Sequence, residues 1–107
     1  MIGKKVKVII DRPLGSRHPN YPDLIYPVNY GYLPNFIGGD GEEQDAYLLG
    51  INLPIEEFEG KVIAIIQREN DCENKLVVAP SDSSFTDEEI LNAVNFQEKF
   101  FKIKLVR

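Results

Sequence analysis

The amino-acid sequence predicts a mainly β fold: a small, closed or nearly closed barrel of four or five short strands, with one α-helix near the C-terminus. Two observations lead to this prediction. Short apolar segments alternate with turn-forming glycine and proline residues through most of the chain, and a single segment with helical signals follows them. Closing the sheet into a barrel also removes the exposed edges that so small a sheet would present.

Each predicted strand has its own signal. Residues 5–11 alternate between valine or isoleucine and polar side chains, as a half-buried strand does. Residues 24–33 predict a bent strand, because Pro27 cannot donate a hydrogen bond to a central ladder. The segment 61–68 is apolar at almost every position, which predicts a central strand buried on both faces. The other two predicted strands are 45–51 and 75–79, with a hairpin turn at 71–74.

The helix is predicted to begin near Thr86. Thr86 and Glu89 form a capping box, and the acidic residues between them favour the positive end of a helix dipole. An apolar stripe is expected to lie against the barrel, made of Ile90, Leu91, Val94 and Phe101.

Composition limits the classes of function. The 107 residues predict one domain, 1–107, and the single cysteine excludes an internal disulfide. The absence of a long apolar run or signal segment predicts a cytoplasmic protein without a membrane partner. The net charge of −5 argues against a nucleic-acid partner. This carboxylate excess is either a solvated surface or a site for a hard cation.

The segment 40–45 is the most informative part of the sequence. It places four carboxylates within six residues, and Gly41 allows a sharp bend that would bring Asp40 and Asp45 together. Mg²⁺ prefers oxygen ligands and commonly takes one or two protein carboxylates. The spacing is wrong for an EF-hand, because Asp45 stands where that loop requires glycine. An ordinary acidic hairpin tip remains an alternative.

Two other groups of side chains could belong to the same site. A second acidic cluster follows the strand at 61–68. Because loops at one end of a small barrel converge, this cluster could face the first one. A solvated hairpin tip has the same composition and remains an alternative. The tyrosines of 26–32 alternate, and their hydroxyls could orient phosphate oxygens or their rings could fill the barrel. These residues are Glu69, Asp71 and Glu73 in the cluster, and Tyr26, Tyr30 and Tyr32 in the strand.

The order of these two motifs resembles a known family. The segment Tyr-Pro-Val-Asn-Tyr-Gly-Tyr at 26–32, followed by Asp-Gly-Glu-Glu-Gln-Asp at 40–45, is similar to the signature of the soluble family I inorganic pyrophosphatases. The likeness extends to Ile-Asp-Arg-Pro at 10–13 and Glu-Asn-Lys-Leu-Val at 73–77. It covers most of the chain, which is shorter than typical members.

The resemblance implies an OB-like five-stranded barrel that hydrolyses pyrophosphate, a small-molecule substrate, with Mg²⁺ or alternatively Mn²⁺. The resemblance is also compatible with a homo-oligomer. It also assigns roles by position. Glu42 would activate the attacking water. The metal ligands would be Asp40, Asp45 and Glu73, with Asp11 in an outer position, and the substrate contacts would be Tyr26, Tyr30, Lys75 and Arg17.

Departures from the family pattern leave two other functions in competition. Glu42 replaces an aspartate, and Phe100 and Phe101 stand near the family's Tyr-Lys pair, so fewer cations are available for phosphate. The chain could therefore be a non-catalytic relative that binds metal and phosphate. A third reading is an OB-like module for single-stranded nucleic acid, which the tyrosines favour and the net charge opposes.

Overall fold

The structure is a computed structural model that describes residues 1–69 and 73–107. Within these residues, six strands and one helix follow one another along the chain. They are β1 (Lys5–Arg12), β2 (Asn29–Ile37), β3 (Glu43–Leu48), β4 (Glu57–Arg68), β5 (Asn74–Ala79), α1 (Asp87–Glu98) and β6 (Ile103–Val106).

The first five strands close into a barrel. They are hydrogen-bonded in the order β1-β2-β3-β5-β4, and β4 pairs with β1 to complete the circle. The β3–β5 pairing is parallel and the others are antiparallel. The long strand β4 is central, since its first half pairs with β1 and its second half with β6 along the same edge. The predicted mainly β, five-stranded barrel is confirmed.

The last strand corrects the predicted order of elements. β6 follows α1, so the helix is not the final element, and α1 ends at Glu98 before the predicted stripe reaches Phe101. Phe101 is exposed, and Glu98 is the buried residue one turn beyond Val94. Strand β2 begins at Asn29, so Tyr26 precedes it rather than lying within it. Residues 71 and 72 of the hairpin turn predicted at 71–74 lie outside the described residues.

Two apolar clusters occupy the two sides of the barrel wall. The first fills the barrel, because its aliphatic side chains come from all five strands: Val8, Ile10, Leu33, Ala46, Leu48, Val62, Leu76 and Val78. The second lies between the outer surface and α1, and it contains the buried tyrosines: Tyr26, Tyr30, Tyr47, Leu49, Ala64, Ile66, Val77, Ile90 and Val94. The tyrosines therefore pack under the helix rather than inside the barrel.

A β-bulge in β1 brings a cation onto the tyrosine face. The register with β2 shifts between Ile10 and Arg12, so Ile10 faces the barrel interior whereas Arg12 pairs with Tyr30 on the outer side. The two strands approach so closely here that a Cβ on Gly31 would lie 1.8 Å from the carbonyl oxygen of Ile9. Glycine at this position is thus a steric requirement of the site.

The helix begins as predicted. Thr86 Oγ1 accepts from the Glu89 N–H at 3.1 Å, and Glu89 Oε1 accepts from the Thr86 N–H at 2.9 Å. Ile90 and Val94 are fully buried against the barrel. In the described parts of the chain, no helix has both the length and the apolar character needed to cross a bilayer.

We expect Thr86→Ala to lower the free energy of unfolding by about 1 kcal/mol, because the first turn loses its capping acceptor. Urea unfolding followed by circular dichroism measures the change. Thr86→Ser is the matched control, since it keeps the hydroxyl and should retain most of the stability. Equal losses in the two variants would contradict a role for the cap.

Candidate functional site

Three neighbouring strands place polar side chains on the outer face of the barrel, beside α1. Tyr30 of β2 pairs with Tyr47 of β3, and Asp45 lies two residues before Tyr47 on the same face. Lys75 of β5 shares the face of Val77, which packs under the helix. The alternation of the strands therefore brings Tyr30, Asp45 and Lys75 together.

The ammonium group of Lys75 joins these strands. It donates to Tyr30 Oη at 2.8 Å, to Asp45 Oδ2 at 2.6 Å, and to Glu73 Oε1. An ammonium has three N–H donors, so these three acceptors match its full capacity. The residue is only 4% exposed, and the two carboxylates supply the charge that its burial requires.

The pKa values of the ionisable groups around Lys75 shift in different directions. Burial works against ionisation of Asp45, but the Lys75 hydrogen bond brings the pKa of Asp45 below its usual range. Burial, together with a hydrogen bond to Asp45, raises the pKa of Glu73. Burial and the nearby Asp45 charge also raise the pKa of Tyr30, which therefore stays a neutral phenol near pH 7.

An acidic hollow lies on one side of this group. Its lining includes Asp40, Glu43, Asp45 and Glu73, so the structure brings three of the predicted metal ligands to one place. The turn forms around Gly41, which has a φ of +84°. Asp40 Oδ1 accepts from the Glu42 N–H at 3.0 Å, and the Glu42 side chain is exposed beside it.

The carboxylates fit a divalent ion that shares its ligands with phosphate. Among the described residues, no group of three or more histidine, cysteine, aspartate or glutamate side chains is arranged to hold a metal ion. Asp45 and Glu73 are adjacent hard-oxygen donors, with Asp40 on the same hollow. Mg²⁺ is commonly held by one or two carboxylates, and water and substrate phosphate complete its shell. The donor set fits that mode of binding rather than a closed protein cage.

The remaining predicted residues occupy different surroundings. Asp11 lies on the β1 bulge and is exposed, but burial of its carboxyl, opposed by Arg12, raises its pKa. Arg17 Nη1 donates to the Pro22 carbonyl at 2.8 Å and so holds its own loop together. Tyr26 is fully buried and accepts from Arg12 Nη1 at 2.6 Å.

A cavity of about 900 Å³ opens on the other side of Lys75. Asp45 lines both this cavity and the acidic hollow, so the two are adjoining parts of one site. The cavity wall combines cations with aromatic rings, which are Arg12, Arg68, Lys75 and Lys99 and the rings of Tyr21, Tyr30, Phe100 and Phe101.

The sequence did not reveal several residues that shape this cavity. Arg68 forms a buried ion pair with Glu98, Nη2 to Oε2 at 2.6 Å, and the Tyr47 hydroxyl donates to the same oxygen at 2.6 Å. Gln97 links the Tyr26 and Tyr47 hydroxyls. A usable signal existed for Glu98, because it follows Ile90 and Val94 at four-residue spacing on the buried stripe.

The chain is similar in sequence to curated inorganic pyrophosphatases. Those of Xanthomonas campestris pv. campestris and Xanthomonas axonopodis pv. citri are each 36% identical to it over 84 residues. The alignment covers 78% of this chain but 38% of either relative, so the chain spans well under half of their length. No family model matches the chain.

Solved structures show the same fold. The inorganic pyrophosphatase of Ehrlichia chaffeensis aligns with a TM-score of 0.71 at 17% identity, over 97% of this chain and 85% of that one. The Helicobacter pylori enzyme aligns with a TM-score of 0.70 at 16% identity, over the same shares. The predicted OB-like barrel and the resemblance to inorganic pyrophosphatases are thereby confirmed.

The buried ion pair yields a stability prediction. We expect Glu98→Gln to lower the free energy of unfolding by about 3 kcal/mol, because it leaves the buried Arg68 charge with the more distant Glu73 carboxylate, at 3.6 Å. The side chains of Arg68 and Glu98 are 6% and 1% exposed. Chemical denaturation measures the loss.

The surface pair between Arg107 and Asp87 is the matched control. It has the same 2.6 Å separation, but its side chains are 40% and 67% exposed. Asp87→Asn should therefore cost less than about 1 kcal/mol. Similar losses in Glu98→Gln and Asp87→Asn would show that burial does not set the strength of these pairs.

Proposed function

We propose that this chain is a divergent member of the soluble inorganic pyrophosphatases and hydrolyses pyrophosphate, or a related phosphoanhydride, to phosphate with the help of a divalent metal. The observation that carries this proposal is the Lys75 group, which joins an acidic hollow to a cationic cavity. A multiply anionic substrate needs both parts, since carboxylates hold metal and cations receive phosphate.

The phosphate contacts follow from the cavity wall. Arg12 lies with its guanidinium 5.8 Å from the Tyr30 ring centre and keeps donors beyond the one used by Tyr26. The neutral Tyr30 hydroxyl can donate to a phosphate oxygen by giving up its hydrogen bond to Asp45. Lys75 donates to phosphate only by giving up one of its three present acceptors. Tyr26 acts through Arg12, and Arg17 would contribute from the neighbouring loop.

The carboxylates hold the metal in this proposal. Asp45 and Glu73 form the inner pair, Asp40 lies at the turn, and Asp11 is the outer ligand, with Mg²⁺ or Mn²⁺ as the ion. When bound, such an ion supplies neutralisation of phosphate charge and a lower pKa for coordinated water. Each of these carboxylates offers hard oxygen donors of the kind that both ions accept.

Glu42 is the proposed general base. Its side chain is exposed in the turn that carries Asp40, so it is accessible to solvent water next to the hollow. In the reaction, the water oxygen forms a bond to one phosphorus atom and the bridging P–O bond breaks. Glu42 accepts a proton from the attacking water. The leaving phosphate keeps the bridging oxygen.

We expect Asp40→Asn and Asp45→Asn each to weaken Mg²⁺ binding at least about tenfold, because each removes a ligand charge and preserves the side-chain shape. Titration calorimetry measures the affinity. Asp82→Asn removes one charge from an exposed loop and serves as the control, with unchanged binding expected. Unaltered affinity in both site variants would refute the assignment of the ligands.

The role of Glu42 decides between an enzyme and a non-catalytic relative. The parent protein should release phosphate from pyrophosphate in the presence of Mg²⁺, and Glu42→Gln should lower kcat by about 100-fold or more while metal affinity stays nearly constant. A phosphate-release assay and calorimetry give the two readouts.

The aspartate variant tests the geometry of the base. Glu42→Asp should retain or raise turnover, because it restores the residue of the family signature. Activity that survives Glu42→Gln would transfer the role of the base to another group, with Glu43 in the same hollow next in line. A parent without phosphate release from any phosphoanhydride would establish the non-catalytic reading.

A further inference from the structure

The cavity beside Lys75 is larger than its proposed inorganic substrate requires. Its volume of about 900 Å³ lies near the upper end of the ~300–1,000 Å³ typical of pockets that enclose drug-sized organic ligands. Pyrophosphate is a far smaller anion, and the polar groups around Lys75 would receive it at one end of the space. The rest of the cavity has room for another part of a ligand.

The polar and aromatic parts of the cavity are separated. Tyr30 and Lys75 are buried at 5% and 4% exposure and come from strands, so they form the inner wall. Tyr21 and Phe100 are 66% and 68% exposed and come from the loop before β2 and the segment after α1, so they form the rim. A ligand matching this order carries its phosphates at one end and an apolar or planar group at the other.

Two of the rim aromatics lie against polar partners. The His18 ring lies 5.1 Å from that of Tyr21, between ring centres. The Arg68 guanidinium, fixed by Glu98, lies 3.8 Å from the centre of the Phe101 ring. Exposed rings offer faces on which a planar base stacks, and the polar side chains of Asn20 and Asp23 line the same cavity.

We propose that the substrate of this site is a nucleoside diphosphate, with its phosphates at Lys75 and Arg12 and its base on the rim formed by Tyr21, Phe100 and Phe101. This inference rests on the proposed function, because it assigns a substrate class to the same hydrolytic site. The net charge of −5 opposes a nucleic-acid chain but not a single nucleotide, whose few phosphates the inner cations can receive.

The reaction balances without a co-reactant other than water. The water oxygen bonds to the terminal phosphorus, and the bond from that phosphorus to the bridging oxygen breaks. The bridging oxygen stays with the nucleoside monophosphate. One water proton is released through the base and the other remains on the inorganic phosphate.

Two analogues that resist hydrolysis isolate the contribution of the nucleoside. α,β-Methylene-ADP and methylenediphosphonate share the P–C–P unit and differ by adenosine. We expect the parent, titrated with Mg²⁺ present, to bind the nucleotide analogue at least about tenfold more tightly, since stacking of one base can supply that difference. Tyr21→Leu and Phe100→Leu should remove most of this preference, because leucine is apolar but has no ring.

Leu53→Ala is the control for an exposed apolar side chain. Leu53 is as exposed as Phe100, at 68%, and lies outside the set of described residues that line the cavity. Its variant should keep the preference for the nucleotide analogue. ADP, GDP, CDP and UDP are then compared with pyrophosphate in a phosphate-release assay.

The outcomes separate this inference from the proposed function. Equal affinity for the two analogues, or release from pyrophosphate but from no nucleotide, would overturn the nucleotide assignment and leave pyrophosphate hydrolysis intact. Binding of the nucleotide analogue without phosphate release from any substrate would support the site and reject catalysis. Rim variants that change the oligomer mass in light scattering, with unchanged nucleotide preference, would overturn the inference by identifying the rim as an interface between copies.

Discussion

The site depends on one buried ammonium group. Lys75 of β5 is almost fully enclosed, and it donates to a phenol and two carboxylates that come from two other strands and a connecting segment. A buried cation is stable only when its partners stay in place, so the same contacts that stabilise Lys75 also fix the spacing of Tyr30, Asp45 and Glu73. The contacts that stabilise the fold around Lys75 are therefore the same contacts that hold the site residues in position.

A second buried charge fixes the helix to the same surface. Glu98 is the last residue of α1, and its carboxylate accepts hydrogen bonds from Arg68 of β4 and from the Tyr47 hydroxyl of β3. With an apolar residue at this position, Arg68 would keep the Glu73 carboxylate, at 3.6 Å, but would lose its close partner on the helix. The ion pair instead orients Arg68 toward Phe101 at the cavity rim. The charge thus places the segment that follows the helix.

Much of this arrangement could be predicted from local sequence signals. The capping box located the start of α1, the apolar run identified the central strand, and Gly41 marked the turn that carries Asp40. The contribution of Arg12 could not be predicted, because strict alternation puts it inside the barrel and only a tertiary event, the bulge against Gly31, turns it outward. Strand β6 was missed because it is four residues long and forms only by pairing with β4.

One departure from the pyrophosphatase pattern has a physical consequence for the outer part of the cavity. Where the family resemblance leads one to expect a tyrosine and a lysine near the end of the helix, this chain has Phe100 and Phe101, so the outer part of the cavity has lost charge and gained ring area. Fewer cations mean weaker attraction for a bare anion. Stacking can replace that lost attraction only for a ligand that brings its own planar group. In the proposed function, the inner part of the site, built on Lys75, would receive the phosphates of a phosphoanhydride, and the outer part would select among such substrates.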